Sequence, residues 1–288
     1  MARPTAAMAV SDSPHAHFAA EVSRPDAEID LIRAALLIAQ EHHAGAEVAS
    51  CREILEQLAN RAAAAMPNGP DAQALCAFLA GQEDFRGNAA DYYNPDNSYL
   101  DLVLRTRRGI PISLALVYLS VATDLGLEAA GVGFPGHFLV RVEASPGSAP
   151  ELIDPFAGQV LSVADCRALL RAGTRGAVEF SERLLAPAGK REILRRMLGN
   201  LKMIYLQRQD FEESLSLCDL LLLLEPDSLQ DLLDRALVLE KLECFGPAAD
   251  ELERLMTRAE LAARPEAMAS VARKIEQLRS RTGGPTLH

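Results

Sequence analysis

Pro135-Gly136-His137-Phe138-Leu139-Val140-Arg141-Val142, followed by Glu151-Leu152-Ile153-Asp154-Pro155, decides how this chain is read. Both runs are short and apolar, and Ser145-Pro146-Gly147-Ser148 between them is turn chemistry. The spacing predicts an antiparallel hairpin that brings a lone His near a lone Asp. Upstream, Gly109-Ile110-Pro111-Ile112 breaks the chain, and Ser113 is expected to cap a helix reaching Leu125 and ending at Gly126. Leu114, Leu116, Val117, Leu119, Val121 and Leu125 leave that helix little polar face, so it should be central and buried.

Ser113, His137 and Asp154 thus occur in the order and on the element types of a nucleophile–His–Asp site. A helix start favours a developing anion and supplies N–H groups to an oxyanion. The His takes and returns a proton. The carboxylate fixes the imidazole tautomer. The nucleophile is the weak member. A thiol can be pulled to thiolate at such a position, whereas a Ser hydroxyl is far less acidic and needs a base within hydrogen-bond reach. Two readings of Ser113 stand side by side: a helix cap, or a base-activated nucleophile.

Around this centre the chain organises into two parts. Residues 1–25 read as a loose tail and 283–288 as a second tail. Residues 26–182 read as an α+β domain: helices at Asp26–Gln40, Val48–Met66, Asp71–Gly81 and Tyr99–Thr106, the last with Asn97 or Ser98 as its cap, then the helix from Ser113. Short strands follow at Ala130–Phe134, Phe138–Val142 and Glu151–Ile153. Residues 183–282 are helical and repetitive. Helices at Arg191–Gln207, Phe211–Leu224, Ser228–Lys241 and Pro247–Met256 form two units at a period of about 34 residues, the period of tetratricopeptide repeats. Two units are fewer than the roughly three usually needed to stand alone, so they are expected to pack on the α+β domain or on a capping helix at Pro265–Ser280.

Composition narrows the function classes. The chain has 288 residues, 49% hydrophobic, with a formal net charge of -11. Its pI of about 5.1 and mean hydropathy of +0.03 fit a soluble acidic protein. Such a balance opposes nucleic-acid binding, which rests on phosphate neutralisation. No apolar run is long enough for a membrane helix, and the first residues lack a signal-peptide core. The five Cys lack CxxC spacing and read as reduced thiols in a cytoplasmic protein. Arg dominates the basic residues and Ala is abundant, which suggests a bacterial, GC-rich source. No cofactor motif is present, and His42-His43 lack the i,i+4 spacing of a helical metal site, so neither cofactor nor metal is expected. Asn97 and Tyr99 are candidate pocket residues, with capping and core packing as competing roles. Arg108 is a candidate carboxylate binder, or a solvated charge beside Arg107.

The motifs in order are Phe85-Arg86-Gly87-Asn88, Tyr92-Tyr93, Asn97-Ser98-Tyr99-Leu100, Arg108 to Leu114, Gly131-Val132, Pro135 to Leu139 and Ile153-Asp154-Pro155-Phe156. This series resembles the SirB family of bacterial proteins, over roughly residues 28 to 260 with the repeats included. The resemblance implies a transglutaminase-like, cysteine-protease-like domain followed by tetratricopeptide repeats. It maps His137 and Asp154 onto the family's His and Asp, and Ser113 onto the nucleophile position, where active transglutaminase-like enzymes carry Cys. It implies no established activity. The expected function is protein or peptide interaction through the repeats, with a regulatory role open. A Ser-dependent amide or ester hydrolase, or acyl transferase, is the alternative.

Overall fold

The computed structural model describes residues 13–43, 45–143, 149–258 and 264–282. The chain divides into two compact units between Met197 and Leu198.

The first unit starts with α1, Pro14–Val22, inside the stretch expected to be a tail. The Ser13 side chain accepts from Ala16 N at 3.1 Å, Pro14 sits at the first helical position, and Phe18 and Val22 are buried one turn apart. Two apolar residues on one face are enough to dock a helix but too few to show as a period. The next helix, expected from Asp26, begins later. Asp26–Glu28 is a single 3-10 turn, Ile29 is extended, and Asp30 caps α2, Leu31–His42. Asp26 is used elsewhere: its carboxylate accepts from Lys190 N at 3.0 Å and Arg191 N at 2.8 Å. It thereby caps α8, Lys190–Gln207, at the positive end of the helix dipole.

Helices α3, Val48–Ala65, and α4, Ala72–Cys76, follow, and α4 widens into a π-helical turn at Ala77–Gln82. Then come α5, Leu100–Thr106, and α6, Pro111–Asp124. Eleven residues of α6 are buried, as its all-round apolar sequence demands. Two-residue strands β1, Arg86–Gly87, and β2, Arg108–Gly109, pair in parallel just before α6.

The sheet is a four-stranded antiparallel meander of β3, Ala129–Val132, β4, Leu139–Val142, β5, Glu151–Asp154, and β6, Gln159–Leu161. Val140 pairs with Ile153, in the register of the expected hairpin; its turn at 145–148 lies outside the described residues. Helix α7, Val163–Thr174, covers one face, where Cys166 and Leu170 pack with Val132, Leu139, Leu152 and Leu161. Strand β6 and helix α7 had no signal in the sequence reading.

The second unit holds α9, Phe211–Leu224, α10, Leu229–Lys241, α11, Phe245–Met256, and α12, Pro265–Thr282. Leu232, Ala236, Leu239, Ala248, Ala249, Leu252 and Leu255 form its core, and α12 seals it with Leu278. The chain is therefore an α+β domain followed by an all-α repeat region. No helix among the described residues is long and apolar enough to cross a membrane.

Candidate functional site

His137 is held by a tight turn. Gly136 has φ of +73° and lies against Gly173, where a Cβ would come within 3.2 Å of backbone, so a side chain here would be both strained and crowded. His137 N donates to Phe134 O at 3.0 Å, and the flanking Phe134 and Phe138 are buried. Arg196 clamps the turn, with one Nη2 donating to Phe134 O at 3.0 Å and to His137 O, and its guanidinium over the Phe138 ring. Burial draws the Arg196 pKa below its ordinary value.

Asp154 ends β5 opposite this turn. His137 Nε2 lies 2.8 Å from Asp154 Oδ1, with the two side chains 12% and 6% exposed. The same oxygen accepts from Phe156 N at 2.9 Å and Ala157 N at 3.1 Å. These bonds make the strand end an Asx-type turn, so the carboxylate both orients the imidazole and folds its own strand end. With Nε2 engaged, Nδ1 is the nitrogen left for proton transfer.

Ser113 is placed differently. Helix α6 starts at Pro111, a residue pre-set for the first helical position, and its N-cap is Ile110. Ser113 is therefore the third helical residue and not the cap. Its Oγ is fully buried; it lies 2.5 Å from Asn97 O and 3.1 Å from Ile110 O, and it accepts from Ile110 N at 3.1 Å. Among the described residues no hydrogen bond joins Ser113 to His137. The structure thus brings His137 and Asp154 together and ties Ser113 to the backbone.

The three pocket candidates are engaged in local structure. Asn97 is buried; its Nδ2 donates to Asp91 O at 2.6 Å and Tyr92 O at 3.3 Å, and its Oδ1 accepts from Asn88 Nδ2 at 3.0 Å. Tyr99, buried, supplies the N-cap position of α5 that was expected at Asn97 or Ser98, and its ring meets those of His42 and His43. Arg108 donates through Nη2 to Asp84 Oδ2 at 2.8 Å and through Nη1 to Asp84 O at 2.6 Å, latching the chain before β1. No group of three or more His, Cys, Asp or Glu is placed for a metal ion among the described residues.

Four thiols, those of Cys51, Cys76, Cys166 and Cys218, are buried, and Cys244 is exposed. Burial, followed by the charges of Asp154 and Glu151, pushes the Cys76 thiol up to about 12. Burial likewise raises Cys51 and Cys166, so no buried thiol of the α+β domain is primed as a thiolate.

The sequence reading missed the aromatic side chains beside His137. The Phe156 ring stands 6.2 Å from the imidazole, and Tyr92 stands 5.9 Å from Phe156. The adjacent Tyr92-Tyr93 was visible as a motif, but nothing in a sequence tells whether such rings face solvent or core.

Comparison with known proteins gives the same two-part organisation. The model of the transglutaminase-like superfamily matches residues 49–199, and a tetratricopeptide-repeat model matches residues 201–282. A UPF0162 protein of Xylella fastidiosa is 36% identical over 183 residues, covering 62% of this chain and 64% of that protein. The UPF0162 protein of Pseudomonas aeruginosa is 31% identical over 229 residues, covering 78% of this chain and 83% of that protein. F-box only protein 21 of Mus musculus is 37% identical over 169 residues, 55% of this chain but 26% of that protein. The chain thus spans less than two thirds of the Xylella relative and about a quarter of the mouse protein. No solved structure matches it. With a transglutaminase-like match over more than half its length and a UPF0162 relative covered across most of its own, the chain belongs to the UPF0162 family of the transglutaminase-like superfamily.

Proposed function

We propose that this protein binds a protein or peptide partner without turning it over. In this reading the transglutaminase-like domain keeps the His137–Asp154 pair as part of a binding site, and the helical repeats offer a second contact surface. The carrying observation is the Ser113 hydroxyl, fully buried and 2.5 Å from Asn97 O. To attack a carbonyl it would have to give up that bond, leave the Asn97 carbonyl with only the 3.2 Å bond from Ile110 N, and reach a base to which it is not bonded. Its one proton is already committed. The buried thiols of the domain, raised by burial, do not substitute for it.

The order of motifs shared with the SirB family supports the same reading, and the net charge of -11 favours a regulatory role through protein partners over direct DNA contact. The five unpaired cysteines support a reducing, cytoplasmic setting. The hydrolase reading keeps one supporting observation, the 2.8 Å His137–Asp154 contact that frees Nδ1 for proton transfer.

Two measurements on the full-length protein separate the readings. A fluorophosphonate probe is expected to leave Ser113 unlabelled, while affinity capture is expected to retain a specific protein partner. Labelling of Ser113 that is lost on His137→Ala would replace the binding reading with the hydrolase one.

A further inference from the structure

Exposed aromatic surface in this protein is concentrated in one place. The chain has five Tyr and no Trp. Among the described residues the large exposed hydrophobic side chains that are aromatic are Tyr92 and Tyr93, 39% and 64% exposed. They meet edge to face at 5.3 Å, Tyr92 continues to Phe156 at 5.9 Å, and Phe156 meets His137 edge to face at 6.2 Å. A continuous row of rings therefore runs from solvent to the imidazole.

The segment that carries the row is fixed in advance. Asn88, Asp91, Asn94 and Asn97 bond to one another and to the turn's own backbone: Asp91 N to Asn88 Oδ1 at 3.2 Å, Asn94 Nδ2 to Asp91 Oδ2 at 3.0 Å, and Asn97 Nδ2 to Asp91 O at 2.6 Å. At the other end, a Cβ on Gly87 would fall 2.4 Å from the Phe156 ring, so the ring lies flat on glycine. A row of rings on a pre-ordered turn loses little entropy when something lands on it.

We propose that Tyr93, Tyr92 and Phe156 form a shelf that seats a large apolar side chain of an extended peptide and lays the peptide's backbone beside His137. The proposal rests on the peptide-binding reading of the domain and names the chemistry that this site selects. Aromatic faces reward apolar and planar groups. The side-chain amides of Asn88, Asn94 and Asn97 are all bonded within the turn and leave it few donors for a polyol, which argues for a peptide side chain over a sugar. Charge sets a second condition. Asp91 and Asp96 lie on the same turn with exposed side chains, in a chain of net charge -11, so a segment rich in acids is disfavoured.

The test uses full-length protein and capped alanine pentapeptides with phenylalanine, serine or glutamate at the centre. Ring signals of Tyr92, Tyr93, Phe156 and His137 are followed by NMR during titration. The phenylalanine peptide is expected to shift all four saturably, with the serine peptide at least about fivefold weaker and the glutamate peptide weaker still. Tyr93→Ala is expected to weaken the phenylalanine peptide by about fivefold without changing thermal unfolding, because the ring is mostly exposed, and Tyr93→Leu to weaken it less. No saturable shift with the phenylalanine peptide, equal binding of all three peptides, or the same ring shifts with maltotriose would overturn the proposal. The two ideas fail separately: fluorophosphonate labelling of Ser113 would end the non-catalytic reading and leave the ring shifts standing, whereas absent ring shifts would end the shelf alone.

Discussion

Asp154 and Phe156 are joined through a single oxygen: Phe156 N donates at 2.9 Å to the Oδ1 that lies 2.8 Å from His137 Nε2. The imidazole orientation and the aromatic row are thus set by one carboxylate.

Substitutions at Asp154 should separate its shape from its charge. Asp154→Ala strips the acceptor from two backbone N–H groups and the imidazole, and is expected to cost about 2–4 kcal/mol in urea unfolding. Asp154→Asn keeps an Oδ1 acceptor for the backbone bonds and should cost less than half as much. Equal losses for the two variants would show that the backbone bonds carry no stability.

Ser113→Ala is expected to destabilise the protein by about 0.5–1.5 kcal/mol, since it removes the hydroxyl donor of the buried Asn97 carbonyl while Ile110 N still donates to it at 3.2 Å. Peptide binding at the His137 side should be unchanged. A variant of full stability that loses an esterase or amidase activity present in the parent would contradict the structural role.

Thiol chemistry gives a direct readout of burial. Burial pushes Cys76 and Cys218 up to about 12 and raises Cys51 and Cys166. Against an ordinary thiol near 8.5, a group at about 12 has roughly a thousandfold less thiolate at pH 8. Iodoacetamide at that pH should modify Cys244 in the native protein and all five cysteines in urea, as counted by mass spectrometry. Fast native labelling of Cys76 would require an open, thiolate-bearing site there.

Lys202 anchors the second unit. Its ammonium, 8% exposed, donates to Asp231 at 2.9 Å and Asp234 at 2.6 Å. Burial alone would lower its pKa, but the bonds to Asp234 and Asp231 outweigh burial and hold it above the ordinary value. A raised folded pKa stabilises fully below the unfolded pKa, about 10.4, and is lost as pH climbs through the folded one. The parent should therefore lose stability above about pH 10 more steeply than Lys202→Met. At neutral pH that variant should cost about 3 kcal/mol by leaving buried Asp231 without its ammonium. Parallel pH profiles of parent and variant in urea titrations would rule this out.

What the sequence carries and what it hides follow from range. The repeat helices were legible because their apolar period runs over three or more turns, and α6 because its apolar run has no charge before Asp124. Helix α1 rests on Phe18 and Val22, and α7 buries only Cys166 and Leu170, so neither shows a period. Ser113 has the composition of a cap, yet Pro111 at the first helical position moves the helix start ahead of it. The proximity of His137 and Asp154 followed from a local hairpin. The Arg196 clamp on His137 and the Lys202–Asp231 bond join residues 59 and 29 positions apart, and no local pattern announces them.

The tightness around Ser113 also bears on engineering. A Cβ on Gly109 would stand 2.7 Å from Ser113 Oγ, with the Asn97 carbonyl already 2.5 Å away. Gly109 and the Asn97 carbonyl thus enclose the hydroxyl. A thiol at 113 would share this enclosure, and Ser113→Cys alone is expected to give a buried, unreactive thiol. Building a nucleophile there would mean rebuilding the start of α6 as well.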